Sequence, residues 1–157
     1  MSRHTNTLLA FCAAALLTAC VVSVCRPVRF DGEVTKREKA VKERLLQIRE
    51  AEERYKKQHG TYTEAWESLI SEAQLPTQCQ YIPYTDTIRF TLKTSNDVAL
   101  SGQPLPLVQC EAHCSTYLNG LNEKDIQQYI HRKETKGQYA GLKFGDISKP
   151  NDNATNW

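Results

Sequence analysis

From Leu8 to Cys25 the chain reads LLAFCAAALLTACVVSVC, a run of 18 residues without a charge and with only Thr18 and Ser23 as polar members. At about 1.5 Å of rise per residue, a helix of this length covers roughly 27 Å, close to the ~30 Å hydrocarbon thickness of a bilayer. Thr5 to Thr7 and a snorkelling Arg26 make up the difference. A helix packed on a soluble core carries a polar face, and this run has none. Residues 8–25 therefore read as a transmembrane anchor in contact with membrane lipid, preceded by a short tail over 1–7.

Two other readings of the segment stay open. A cleaved secretory peptide needs a shorter apolar stretch ending in small residues, whereas this one runs on past any such site. Leu17-Thr18-Ala19-Cys20 has the look of a lipobox, which would make Cys20 a lipidated residue, although Val21 to Cys25 supplies none of the polar tether that normally follows. Orientation is contested by two rules. Only Arg3 precedes the run, while Arg26, Arg29, Lys36, Arg37, Lys39, Lys42 and Arg44 follow it, so the positive-inside rule keeps the domain in the cytoplasm. The basic residues beyond position 33, however, alternate with Glu in a folded helix, and a short basic start before an apolar run is the usual export signal. The second argument favours an exported domain on the far side of the membrane.

Beyond the anchor, all 18 acidic residues and 19 of the 20 Lys/Arg give a formal net charge of about +1. So balanced a domain lacks the clustered basic face that nucleic acid requires, and no nucleic-acid partner is expected. About 130 residues suffice for one core. The expected division is an α+β domain over 26–145 and a polar, loose tail over 146–157.

After a break at Arg26-Pro27, a helix is expected from about Glu33 to Gln58. Its apolar stripe is Val34, Val41, Leu45, Ile48, Ala51 and Tyr55, and Gly60 is its C-terminal cap. Glu38–Lys42, Glu50–Arg54, Glu52–Lys56 and Glu53–Lys57 lie at i,i+4 spacing on the remaining faces, each adding about 0.2–0.5 kcal/mol. With its single polar interruption around Arg26 to Asp31, the anchor and this helix read as one rod. A second helix follows over about 64–73, with Thr63 as N-cap and Trp66, Leu69 and Ile70 inward. The pattern then turns to period two at Tyr81–Tyr84 and Thr87–Lys93, where Ile88, Phe90 and Leu92 share a face. Val98 to Leu100 extends the pairing up to a turn at Ser101-Gly102. Leu105–Ala112 is a further strand, placed at a sheet edge by Pro104 and Pro106. A helix over about 123–132 and a strand at Gly141–Gly145 complete the set.

Cys110-x-x-His113-Cys114, with Cys79 elsewhere, is the one cluster with metal-ligand chemistry. Three thiolates and an imidazole suit zinc, but only one knuckle is visible, and a disulfide from Cys79 or Cys114 to Cys110, or packed free thiols, compete with it. No phosphate-binding glycine loop, paired-histidine metal helix or calcium loop occurs in the sequence. No catalytic residue or cofactor is expected. A thiol or zinc enzyme using Cys110, His113 and Cys114 remains the lesser alternative.

Arg44 to Lys56, then His59-Gly60-Thr61-Tyr62-Thr63 and Trp66-Glu67-Ser68-Leu69-Ile70, resemble the start of a type IV pilin or type II secretion pseudopilin. Pro27-Val28-Arg29-Phe30 and the ending from Gly141-Leu142-Lys143-Phe144-Gly145 to Asn156-Trp157 resemble a family of bacterial single-pass membrane proteins to which no activity attaches. The anchor departs from pilins in lacking the Gly before Phe-Thr-Leu-Ile-Glu, and no acidic residue stands near its start. What the resemblance implies is a pilin-like α+β domain on a permanent anchor: a long amphipathic helix packed on a small antiparallel sheet, with a structural or scaffolding role among envelope protein partners. The alternative is a lipoprotein-type binding module attached through Cys20.

Overall fold

The computed structural model describes residues 3–85, 87–98 and 104–157, without the side chains of residues 3–6, 22, 24–26, 97, 98 and 104. The chain divides into two compact units, Met1–Thr35 and Lys36–Trp157. Helix α1 (Arg3–His59) begins in the first and ends in the second. The expected break at Arg26-Pro27 is absent, because Pro27 lies inside α1. A mid-helix proline removes one main-chain bond and crowds the carbonyl four residues back, at a cost of about 3 kcal/mol. That cost is local, and the Leu, Ala, Lys, Arg and Glu residues on either side favour helix.

In the first unit Leu8, Leu9, Phe11, Leu16, Leu17 and Val21 are 59–81 % exposed. Among the described residues no helix is long and apolar enough to cross a membrane. The uninterrupted stretch of described side chains stops at Val21, whereas the apolar run continues through Val22, Val24 and Cys25, whose side chains lie outside the described ones.

In the second unit α1 keeps the expected stripe, with Val41, Leu45, Ile48 and Ala51 fully buried and Tyr55 half-buried. At its end Gly60 takes φ +76° and donates its N–H to the Lys56 carbonyl, 2.8 Å. Of the four expected i,i+4 ion pairs, Glu38–Lys42 forms at 3.7 Å. Glu52 does not stay on the solvent side; it is completely buried. The helix thus buries more than a narrow stripe, since Glu52 stands one turn after Ile48 and two after Leu45.

Helix α2 (Trp66–Ser71) is shorter than expected. The Thr63 hydroxyl accepts from the N–H of Ala65 (3.1 Å), closing a turn ahead of the helix instead of capping it. Trp66 and Leu69 are buried and Ile70 half-buried. The expected strand at Tyr81–Tyr84 is replaced by a 3₁₀ turn, Thr77–Gln80, and a single bridge from Tyr81 to Arg89. Ile88 is 47 % exposed, so the run ahead of the sheet does not put Ile88, Phe90 and Leu92 on one buried face.

Three strands, β1 (Thr91–Val98), β2 (Pro104–His113) and β3 (Gly141–Gly145), form an antiparallel sheet in the order β1-β2-β3. The turn expected at Ser101-Gly102 lies outside the described residues. Strand β2 is therefore central and not the edge that its prolines suggested. Register explains why it tolerates them. Cys110 pairs with Phe144 and Ala112 with Leu142, whereas the N–H groups of Lys143 and Gly145 turn away from β2 toward Asn156 and Ala154. Even-numbered β2 residues accordingly bond toward β3. Pro104 and Pro106 would offer their missing N–H on that same side, beyond the point where β3 has ended opposite Gln109.

The chain then forms helices α3 (Cys114–Tyr117) and α4 (Glu123–Glu134), the latter capped by the Asn122 side chain on the Asp125 N–H, 3.2 Å. The core consists of the α1 stripe with Trp66, Leu69, Phe90, Val108, Cys110, Ala112, Tyr117, Ile126, Leu142 and Phe144. The C-terminal segment is not loose. It runs along β3, with a bridge from Phe144 to Thr155 and bonds from Gly145 N–H to Ala154 (3.0 Å) and Asn156 N–H to Lys143 (3.1 Å). Its polar side chains satisfy the outer edge of the sheet, a function that composition alone does not reveal.

Candidate functional site

Cys79, Cys110, His113 and Cys114 are not gathered into a cluster. Cys110 points inward from the middle of β2 and is completely buried. His113 lies an odd number of residues further along the strand and so faces the other way. It caps α3, its ring Nδ1 accepting from the Ser115 N–H at 3.3 Å. Cys114 opens α3 with its sulfur 3.1 Å from the Tyr117 hydroxyl, and Cys79, on the 3₁₀ turn, donates to Gln47 Oε1 on α1, 2.8 Å. All three thiols are free. Among the described residues no group of three or more His, Cys, Asp or Glu could hold a metal ion. Cys20, where the sequence suggested a lipobox, is an exposed free thiol within α1.

Burial pushes the thiols of Cys79, Cys110 and Cys114 upward, Cys110 the furthest because it is completely enclosed, with Glu52 and Glu111 as smaller contributions. Maleimide should therefore leave all three unlabelled in the native protein at neutral pH, and denaturant alone should open all three. Labelling that required a reductant as well would restore the disulfide.

Two features invisible as motifs carry the remaining chemistry. The first is Glu52. Its Oε2 accepts the N–H of Thr63 (3.2 Å), while its Oε1 is buried without a partner. Burial, opposed by that one bond, raises its pKa to about 8, with Glu53 adding to the rise. Its position on the Leu45–Ile48 side of the helix was the one available signal; the i,i+4 spacing to Lys56 pointed the other way.

The second is a pair of polar clefts. One, of about 310 Å³, lies among Glu53, Lys56, Tyr62, Leu105 to Leu107 and the segment from Pro150 to Asn153. In it the Tyr62 hydroxyl donates to Glu53 Oε1 (2.9 Å) and accepts from Lys56 (3.1 Å) and Asn153 (2.7 Å), and the Asn153 amide also donates to Glu53. These groups satisfy one another and tie the C-terminal segment to α1. The other, of about 350 Å³, is lined by Glu38, Lys42, Lys133, Gln138, Tyr139, Leu142, Asn156 and Trp157. There Glu38 Oε1 accepts from Tyr129 (2.7 Å), Tyr117 (3.3 Å) and Lys133 (3.3 Å), while Lys42 stands 3.7 Å from Oε2. Burial would raise this carboxyl, but the Tyr129 hydroxyl and the two ammonium groups together hold it below the usual carboxylate range.

No family model matches the chain, and no match is found among curated proteins or solved structures.

Proposed function

We propose that the protein is a membrane-anchored structural or scaffolding subunit of the bacterial envelope, held by residues 8–25 and docking its α+β domain with envelope proteins in a secretion or pilus-like assembly. The observation that carries this reading is the uncharged 18-residue run. Its described large side chains, from Leu8 to Val21, lie exposed on a helix. The pilin-like passages over 44–56 and 59–70 support the choice of assembly, and the near-balanced charge of the remainder fits protein partners better than nucleic acid.

Among the described residues of the second unit, Tyr84 and Ile88 are the large apolar ones left most exposed, at 48 % and 47 %. A photo-crosslinking residue at either position, in intact membranes, should give a discrete adduct with another envelope protein. Absence of an adduct from both positions, together with none from a general amine-reactive reagent, would contradict the scaffold. The competing attachment through Cys20 predicts loss of residues 1–19 and a lipid mass increment, whereas the anchor predicts a chain that keeps Met1.

A further inference from the structure

The cleft between α1, α4 and the C-terminal segment offers a ligand more than the scaffold reading uses. Glu38 Oε1 accepts from two tyrosine hydroxyls and from Lys133, and Lys42 stands at ion-pair distance from Oε2. Its Oε1 is fully engaged, and its Oε2 faces the Lys42 ammonium. The lysines differ, because each ammonium has three N–H groups; Glu38 takes one from Lys133, at 3.3 Å, and Lys42 only pairs with it at 3.7 Å. Lys42 also stands 5.8 Å from the centre of the Trp157 ring, and Lys133 stands 5.1 Å from that of Tyr129. Among the lining side chains two ammonium groups face one carboxylate.

One side of the cleft is aromatic and apolar. Trp157 is 39 % exposed, and Tyr139 and Leu142 line the cleft beside it. The Asn156 amide is committed on both sides, accepting from the Lys143 N–H (2.9 Å) and donating to the Gly141 carbonyl (3.1 Å). It positions the segment carrying Trp157 and offers little to a ligand. Two ammonium groups with unspent donors and an aromatic wall select for a guest with a charged acceptor and a flat apolar body. A cation would meet two ammonium groups.

We propose that this cleft binds a small organic anion, its carboxylate or phosphate held by Lys42 and Lys133 and its ring lying along Trp157. The volume of about 350 Å³ is at the small end of the ~300–1,000 Å³ typical of ligand sites, which fits a single-ring molecule. This site does not depend on how the chain is attached to the membrane.

The test is calorimetric titration of the full chain in neutral detergent with benzoate, phenyl phosphate and benzamide, an uncharged molecule of the same shape as benzoate. Both anions should bind saturably, one per chain, with benzamide weaker by about tenfold or more. Lys133→Gln and Trp157→Ala should each weaken the anions by about tenfold. Because Lys133 also steadies Glu38, the exposed Trp157 provides the variant whose folding is not in question. The ratio of benzoate to phenyl phosphate affinity names the head group, and either order supports the site. Benzamide binding as tightly as benzoate, neither anion saturating, or anion affinities unchanged in Trp157→Ala would overturn it.

Discussion

Glu52→Gln should make the protein more stable at alkaline pH, by on the order of 3–5 kcal/mol, and should flatten its pH dependence. In the folded chain the Glu52 carboxyl is raised from 4.5 to about 8 by burial, with one backbone N–H as partner and one oxygen without any. A group that holds its proton more tightly when folded gives its full stabilisation where both states are protonated, below the unfolded pKa. That contribution falls as pH rises through the interval from 4.5 to about 8 and is gone above it. Gln keeps the acceptor for Thr63 and cannot ionise. Against a total stability of ~5–15 kcal/mol for a domain of this size, the change is large. Denaturant midpoints across the same interval measure it directly: the wild type should lose stability toward high pH while Glu52→Gln changes little. Parallel profiles for the two proteins would show that Glu52 is not buried as described.

Gly145→Ala should cost about 3 kcal/mol or more. Gly145 has φ +71°, and a Cβ there would fall 1.9 Å from the Val108 carbonyl oxygen, inside any allowed contact with a backbone atom. Strand β2 or β3 would have to move, and with it the bond from Gly145 N–H to Ala154 that fastens the C-terminal segment. Gly60→Ala separates the two causes. It shares the left-handed backbone, φ +76°, but meets nothing within 4 Å. Its cost should be about 1–2 kcal/mol, the backbone term alone. Equal losses in the two variants, by urea titration, would remove the close approach of β2 to β3 from the account.

How far these features could be read from the residues depended on whether they arise from short-range pattern or long-range register. The α1 stripe from Val41 to Ala51, the Gly60 cap, the α4 segment and the strand at Gly141–Gly145 follow from spacing and turn chemistry within a dozen residues. The central position of β2 does not, because it depends on where β3 ends relative to Pro106. Tyr81–Tyr84 alternates like a strand but is held as a turn by the bond from Ile82 N–H to the Ile88 carbonyl and by Arg44 on the Tyr81 carbonyl, partners that only the fold supplies. The same holds for the clefts. Glu38 and Lys133 are 95 positions apart, and Glu53 and Asn153 are 100 apart. The cysteine cluster was legible as residue types but not as geometry, since alternation along β2 sends Cys110 and His113 to opposite faces.

Alkaline carbonate extraction of membranes from expressing cells tests the central claim most directly, with the chain followed by its intact mass. The account predicts that the full chain, Met1 included, stays in the membrane pellet, and that Leu16→Arg with Leu17→Arg releases it. Recovery of the unaltered chain in the soluble fraction would contradict anchoring by residues 8–25.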